Sequence, residues 1–234
     1  MLDYIMRIAT ANANKQFESL ENISMNVANY NTSGYKARRF EQFITPAGTL
    51  NGAVRIDMSK GDLMNTKNPM DIAVDGFGYI PVTQPDGTTA YTRDGSMTLN
   101  SKGMLITNRG DVVGEGISIP ANYQQIQIKK DGTVLAQTPD AADFKPIGKI
   151  DLVRFANPEK LTSIGDNKLL ASKESGTPML DTNSQIKQSF LERANVNVYA
   201  QVEQVLRLNA GLISNMRILK FTDDLYSKAI NLKQ

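Results

Sequence analysis

Carboxylates, amides, hydroxyls and amines are the groups available for chemistry in these 234 residues, because the chain has neither His nor Cys. That excludes imidazole-based triads, thiolate nucleophiles, zinc clusters and disulfide frameworks. Glycoside hydrolysis would need two carboxyls in a cleft lined by sugar-stacking rings. The acid pairs on offer are Asp71/Asp75, Asp140/Asp143 and Asp223/Asp224. With no Trp and only 7% aromatic residues, they read as solvated turn carboxylates. Nucleotide cradles are missing too: there is no Gly-x-x-x-x-Gly-Lys-Ser/Thr, and the run from Gly76 to Pro81 lacks the third glycine of a dinucleotide loop. None of the Asp-Gly turns carries the alternating oxygen ligands of a calcium loop. No catalytic, cofactor-binding or metal-ligating residue is therefore expected.

The charge balance, 26 Lys plus Arg against 24 Asp plus Glu, gives a net +2, which supplies no field for nucleic acid or an anionic membrane. No apolar run approaches the roughly 18 residues of a spanning helix, and the first residues lack a basic leader with an apolar stretch. The expectation is a protein that is not inserted in a membrane and not exported by a cleaved signal peptide. Asn22-Ile23-Ser24 and Asn31-Thr32-Ser33 match a glycosylation pattern that is frequent by chance, and both lie in or beside a predicted helix.

With the chemistry absent, the elements themselves become informative. Leu2, Met6, Ala9, Ala13, Gln16, Leu20, Ile23 and Val27 alternate spacings of four and three, which predicts a helix with one narrow apolar stripe. Its remaining surface is rich in Asn, a poor helix former, so it needs a partner. Asn29, Asn31 and Gly34 collect the signals of a helix stop, with Gly34 as left-handed cap or hinge. The same spacing returns near the other end through Val198, Val202, Val205, Asn209, Leu212, Met216, Leu219, Asp223, Tyr226 and Ile230. Asn209 and Asp223 are the polar members of that seam; either they fix register, or the true seam is rotated and both face water. Leu206, Leu208, Ile213, Ile218, Phe221 and Leu225 lie beside or opposite the seam, so one partner helix could not cover all the apolar surface.

Residues 71–185 change texture to short β-branched runs broken by Pro85-Asp86-Gly87, Asp94-Gly95, Asn108-Arg109-Gly110-Asp111 and Lys130-Asp131-Gly132, which are hairpin signals. The predicted fold is mainly β. A central all-β domain of short hairpin strands is flanked by antiparallel, coiled-coil-forming terminal helices. The division is 1–34 for the first assembly helix, 35–70 for an extended linker or arm with a strand at 53–58, 71–185 for the β domain and 186–234 for the second assembly helix. A helix at each extreme end of a self-sufficient β domain suits self-assembly.

Segments at both ends and in the middle carry a more specific signal. Ser24-Met25-Asn26-Val27-Ala28-Asn29-Tyr30-Asn31-Thr32-Ser33-Gly34-Tyr35-Lys36 resembles the amino-terminal signature of the bacterial flagellar axial proteins, the rod and hook family. The runs from Asp71 to Tyr79 and from Tyr91 to Met97, with Gly103-Met104-Leu105, are similar to that family's β-domain motifs. Leu191-Glu192-Arg193-Ala194-Asn195-Val196-Asn197-Val198 resembles its carboxy-terminal signature. Met25, Tyr30 and Ala194 depart from the usual Asn, small aliphatic and Ser. The length points to the rod branch, of FlgF or FlgG type, with the small size leaning towards FlgF. The resemblance implies a structural subunit of the basal-body rod that assembles helically through its terminal helices and transmits torque. It also implies export through the flagellar type III apparatus, partners among copies of itself and other rod and hook subunits, and no small-molecule substrate. Readings from other classes are a carbohydrate- or peptidoglycan-binding or processing β protein and a non-flagellar coiled-coil scaffold.

Overall fold

A computed structural model of the protein describes residues 2–46, 49–139 and 143–231, with side chains at 2–3 and 229–231 left aside. In sequence order, α1 (Leu2–Ala28) is followed by β1 (Arg38–Ile44), β2 (Leu50–Ile56), β3 (Leu63–Asn65), β4 (Ile72–Asp75), β5 (Ile80–Thr83) and β6 (Thr89–Thr92). Next come β7 (Met97–Leu99), β8 (Leu105–Thr107), β9 (Val112–Val113), β10 (Gln125–Ile128), β11 (Thr133–Gln137) and β12 (Lys145–Lys149). Then β13 (Val153–Arg154), β14 (Thr162–Gly165), β15 (Lys168–Leu170), β16 (Met179–Leu180), β17 (Gln185–Gln188) and β18 (Phe190–Glu192) lead into α2 (Val198–Asn231). The fold is thus mainly β with one long helix near each end.

The protein forms two compact units. The first comprises the residues up to Tyr30, Ala37–Asp57 and those from Val196 onward. It holds α1, α2 and the antiparallel β1–β2 hairpin. The helices run antiparallel: near the end of α1, Asn26 bonds Gln201 at the start of α2, whereas Gln16, earlier in α1, meets Asn215, later in α2. Segment 35–70, expected as an extended arm, supplies this hairpin and β3. Regular pairing from Arg38↔Ile56 to Ile44↔Leu50 satisfies the facing backbone groups of both strands despite few apolar residues. The strand expected at 53–58 is β2.

The second unit comprises Asn31–Lys36 and Met58–Asn195, wider on both sides than the expected 71–185. The extra length is explained by pairing, since β3 bonds β18 and β4 bonds β17, closing the start of the unit onto its end. A seven-stranded sheet of order β14-β15-β6-β5-β9-β8-β7 and a three-stranded sheet of order β10-β11-β12 carry most of the rest. Ile72, Val74, Ile80, Val82, Leu105, Val113, Val134, Ile150 and Ile186 are fully or almost fully buried in one continuous core. Burying each such group contributes about 1.5–3 kcal/mol.

Three of the four turn signals join consecutive paired strands: 84–88 between β5 and β6, 108–111 between β8 and β9, and 129–132 between β10 and β11. Asp86 and Asp131 accept the amides of Thr88 and Thr133, the local bond that favours Asp in turns. Asp94-Gly95 differs. It lies between β6 and β7, which are not neighbours, and a Cβ on Gly95 would stand 1.7 Å from the Ile72 carbonyl oxygen. Close backbone approach, not a hairpin, requires that glycine.

Candidate functional site

The two helices meet through side-chain amides as well as apolar surface. Asn26 is almost fully buried; its Nδ2 donates to the Arg38 carbonyl at 2.7 Å and its Oδ1 accepts the Arg38 amide at 2.8 Å. The same Nδ2 reaches Gln201 Oε1 at 3.1 Å. Asn12 Oδ1 accepts the Leu50 amide at 2.7 Å, tying α1 to the start of β2. Further along, Asn215 Nδ2 donates to Gln16 Oε1 at 3.0 Å. Gln16 lies against Gly211, where a Cβ would come within 2.6 Å of its Nε2. Gly211 therefore leaves the space that the Gln16 amide occupies, at the helix-propensity cost of about 1 kcal/mol that a mid-helix Gly carries relative to Ala.

The expected stripe residues distribute as follows. On α1, Ala9 and Ile23 are buried, Met6, Ala13 and Leu20 are half-buried, and Val27 is exposed. Buried Ser19, Asn22 and Asn26 share the inner face, so the Asn residues read as outer surface include its best-bonded members. On α2, Val198, Val205, Leu212 and Leu219 are half-buried, while Val202, Asn209, Met216, Asp223 and Tyr226 are exposed. Their places on the inner face go to Gln201, Leu208, Asn215 and Thr222, each one residue earlier. Leu2 and Ile230 lie outside the residues whose side chains are described. The inner seam is thus rotated from the one drawn from apolar spacing, because hydrogen-bonded amides occupy half of it.

What the rotation leaves outside is a second row. Val202, Leu206, Asn209, Ile213 and Met216 follow one another at spacings of four and three, and the four apolar members are 51–66% exposed. Near the α2 end, Ile5, Ile218, Phe221 and Leu225 line an apolar groove of about 340 Å³. Covering such side chains contributes about 1.5–3 kcal/mol each, so this helical surface can bind another apolar surface.

At the end of α1, Asn29 closes the helix: both its backbone amide and its Nδ2 donate to the Met25 carbonyl, at 3.1 and 2.9 Å. Asn31 is exposed in the following turn. Gly34, at φ +68°, sits six residues past the last helical residue, within the β unit. Its amide donates to the Glu192 carbonyl at 2.8 Å, and a Cβ there would stand 2.4 Å from the Asp94 nitrogen.

That unit has a buried ionic centre which apolar spacing gives no means of finding. Glu192 Oε1 accepts Lys36 Nζ at 2.6 Å and the Gly61 amide at 2.9 Å, and its Oε2 accepts Arg93 NH1 at 3.1 Å. Lys36 also donates to the Ser59 carbonyl at 2.7 Å, and Arg93 to the Gly76 carbonyl at 2.8 Å. The Arg93 guanidinium lies 5.0 Å from the centroid of the Tyr79 ring. All three charged side chains are buried. Three of the motif segments, those holding Lys36, Arg93 and Glu192, thus converge on one carboxylate.

Of the candidate acids, Asp71 and Asp75 are engaged structurally. Asp75 bridges Lys60 and, at 2.6 Å, Lys187; these two ammonium groups, Lys187 first, hold its carboxyl down to about 2. Asp71 accepts Asn68 Nδ2 at 2.9 Å. Asp223 and Asp224 are exposed on α2, Asp143 is exposed, and Asp140 lies outside the described residues. Among the described residues no helix is long and apolar enough to cross a membrane.

The family model of the flagellar hook protein FlgE/F/G D1 domain matches residues 73–136. The sequence is 31% identical over 252 residues to the flagellar basal-body rod protein FlgG of Agrobacterium fabrum, covering 95% of this protein and 96% of that one. It is 30% identical to FlgG of Bacillus subtilis, covering 94% and 96%. It is also 31% identical, over 229 residues and 90% of both proteins, to the flagellar basal-body rod protein FlgF of Caulobacter vibrioides.

Proposed function

The protein belongs to the family of flagellar basal-body rod proteins, and from that premise we propose that it is a structural subunit of the rod, assembling with other rod and hook subunits through its terminal helices and carrying torque. The observation that supports assembly through the helices is the exposed row Val202, Leu206, Ile213 and Met216, left uncovered by α1 because polar side chains hold the inner seam. A subunit placed repeatedly by such non-closing contacts makes a helical filament. Torque resistance suits the β unit, whose buried Lys36–Glu192–Arg93 centre binds distant segments together without a flexible joint. The role is structural, not enzymatic, at the basal body. Export through the flagellar apparatus belongs to the same reading and rests on the family alone.

Hydrogen exchange tests the assembly step. In the purified monomer, amides of α1 and α2 exchange fast relative to the β unit, since polar contacts and a thin apolar seam hold the helices. In assembled rods the same amides become protected. Helices equally slow in both states would refute assembly-coupled ordering.

A further inference from the structure

We propose that Asn51 is a site of spontaneous covalent modification: its carboxamide condenses with the Gly52 backbone nitrogen and is converted to aspartate and isoaspartate. Asn51-Gly52 is the only Asn-Gly step in the sequence and lies in β2, with Asn51 exposed. Gly offers no side chain to obstruct attack by its own nitrogen.

The β1–β2 ladder decides whether that nitrogen is free. Asp57 donates to the Ala37 carbonyl at one end and Thr45 to the Thr49 carbonyl at the other. With the register Arg39↔Arg55, Glu41↔Ala53 and Phe43↔Asn51 between them, every second pair exchanges hydrogen bonds and Gln42↔Gly52 falls on the non-bonded phase. The Gly52 N–H therefore points away from β1. Its acceptor is Asn51 Oδ1 at 2.8 Å, which brings the Asn51 carboxamide up to the nucleophile.

Packing preserves this labile step. A Cβ at residue 52 would stand 2.2 Å from Cζ of the buried Phe40 ring, so the aromatic covers the strand glycine and no larger residue fits without moving it. The chemistry balances without a redox partner. The Gly52 nitrogen gives up its proton and bonds to Asn51 Cγ, the Cγ–Nδ2 bond breaks, and ammonia leaves with that proton. Water then opens the succinimide at either carbonyl, giving aspartate or isoaspartate. Isoaspartate adds a backbone carbon to β2 and a negative charge opposite Phe43, which disturbs the register of the hairpin.

The test is incubation of the purified full-length protein at mildly alkaline and mildly acidic pH, followed by peptide mass spectrometry and labelling with an isoaspartyl-specific methyltransferase. The Asn51 peptide should lose its amide before the peptides of exposed Asn31 and Asn108, faster at the higher pH, and should become the methyl acceptor. In Asn51→Gln, where cyclisation needs a larger ring, both signals should vanish while the fold is kept. Conversion of the Asn51 peptide no faster than that of Asn108, or methyl acceptance that persists in Asn51→Gln, overturns the proposal.

Discussion

Lys36 and Glu192, 156 positions apart in the sequence, meet in a buried ion pair at 2.6 Å, with Arg93 completing the set at 3.1 Å. Breaking a buried pair costs more than the pair contributes, because the remaining charges have neither water nor partner. Glu192→Gln leaves Lys36 and Arg93 facing each other, so it should destabilise the β unit by about 3–5 kcal/mol in urea unfolding. A loss below about 1 kcal/mol, in the range of ordinary surface substitutions, would show that water reaches the centre.

Gly34 separates two explanations of a positive φ. If conformation alone required glycine, Asn would be tolerated better than Ala, since Asn visits the left-handed region more readily. Here any Cβ meets the Asp94 backbone at 2.4 Å. Gly34→Ala and Gly34→Asn should therefore lower the unfolding free energy in urea alike, each by more than the roughly 1–2 kcal/mol of left-handed strain alone. Rescue by Asn would contradict the close packing.

Helix register should follow the amides. Gln16→Leu/Asn215→Leu removes the bond beside Gly211 and should broaden the α1–α2 distances between spin labels, which a Cys-free protein accepts at chosen positions. Asn209→Leu/Asp223→Leu alters exposed residues and should leave those distances unchanged. The opposite pattern would restore the unrotated seam.

Acid should find Asp75. Its carboxyl titrates at about 2, below the ordinary 3.8, because Lys187 and Lys60 favour the charged form. A depressed folded pKa gives stability that is present above the unfolded value and lost as pH falls from roughly 4 towards 2. Asp75→Asn should flatten the fall in melting temperature across that window. The gain is small, since the group is about a third exposed and such pairs contribute about 0–1 kcal/mol.

Sequence patterning reaches the helices, their antiparallel sense and the hairpin texture because each is a local or periodic signal. Asp86-Gly87 and Asp131-Gly132 make the turns their chemistry implies. Asp94-Gly95 misleads, since its glycine answers to the Ile72 carbonyl, a contact between β4 and a distant loop. Apolar spacing misplaces the inner seam for a related reason: polarity marks Asn22 and Asn26 as surface until their bonding partners are known. Lys36, Arg93 and Glu192 carry no periodic signature at all. Each falls within a motif segment, yet nothing in those segments indicates that the three touch.

Assembly through the exposed α2 row is tested most directly by incorporation. Leu206→Asp/Met216→Asp charges two of its exposed members and leaves the amide-bonded inner face intact. The variant should be exported, should melt like the parent in its β unit, and should be missing from purified basal bodies. Basal bodies containing the variant at the parent's level would contradict assembly through this surface.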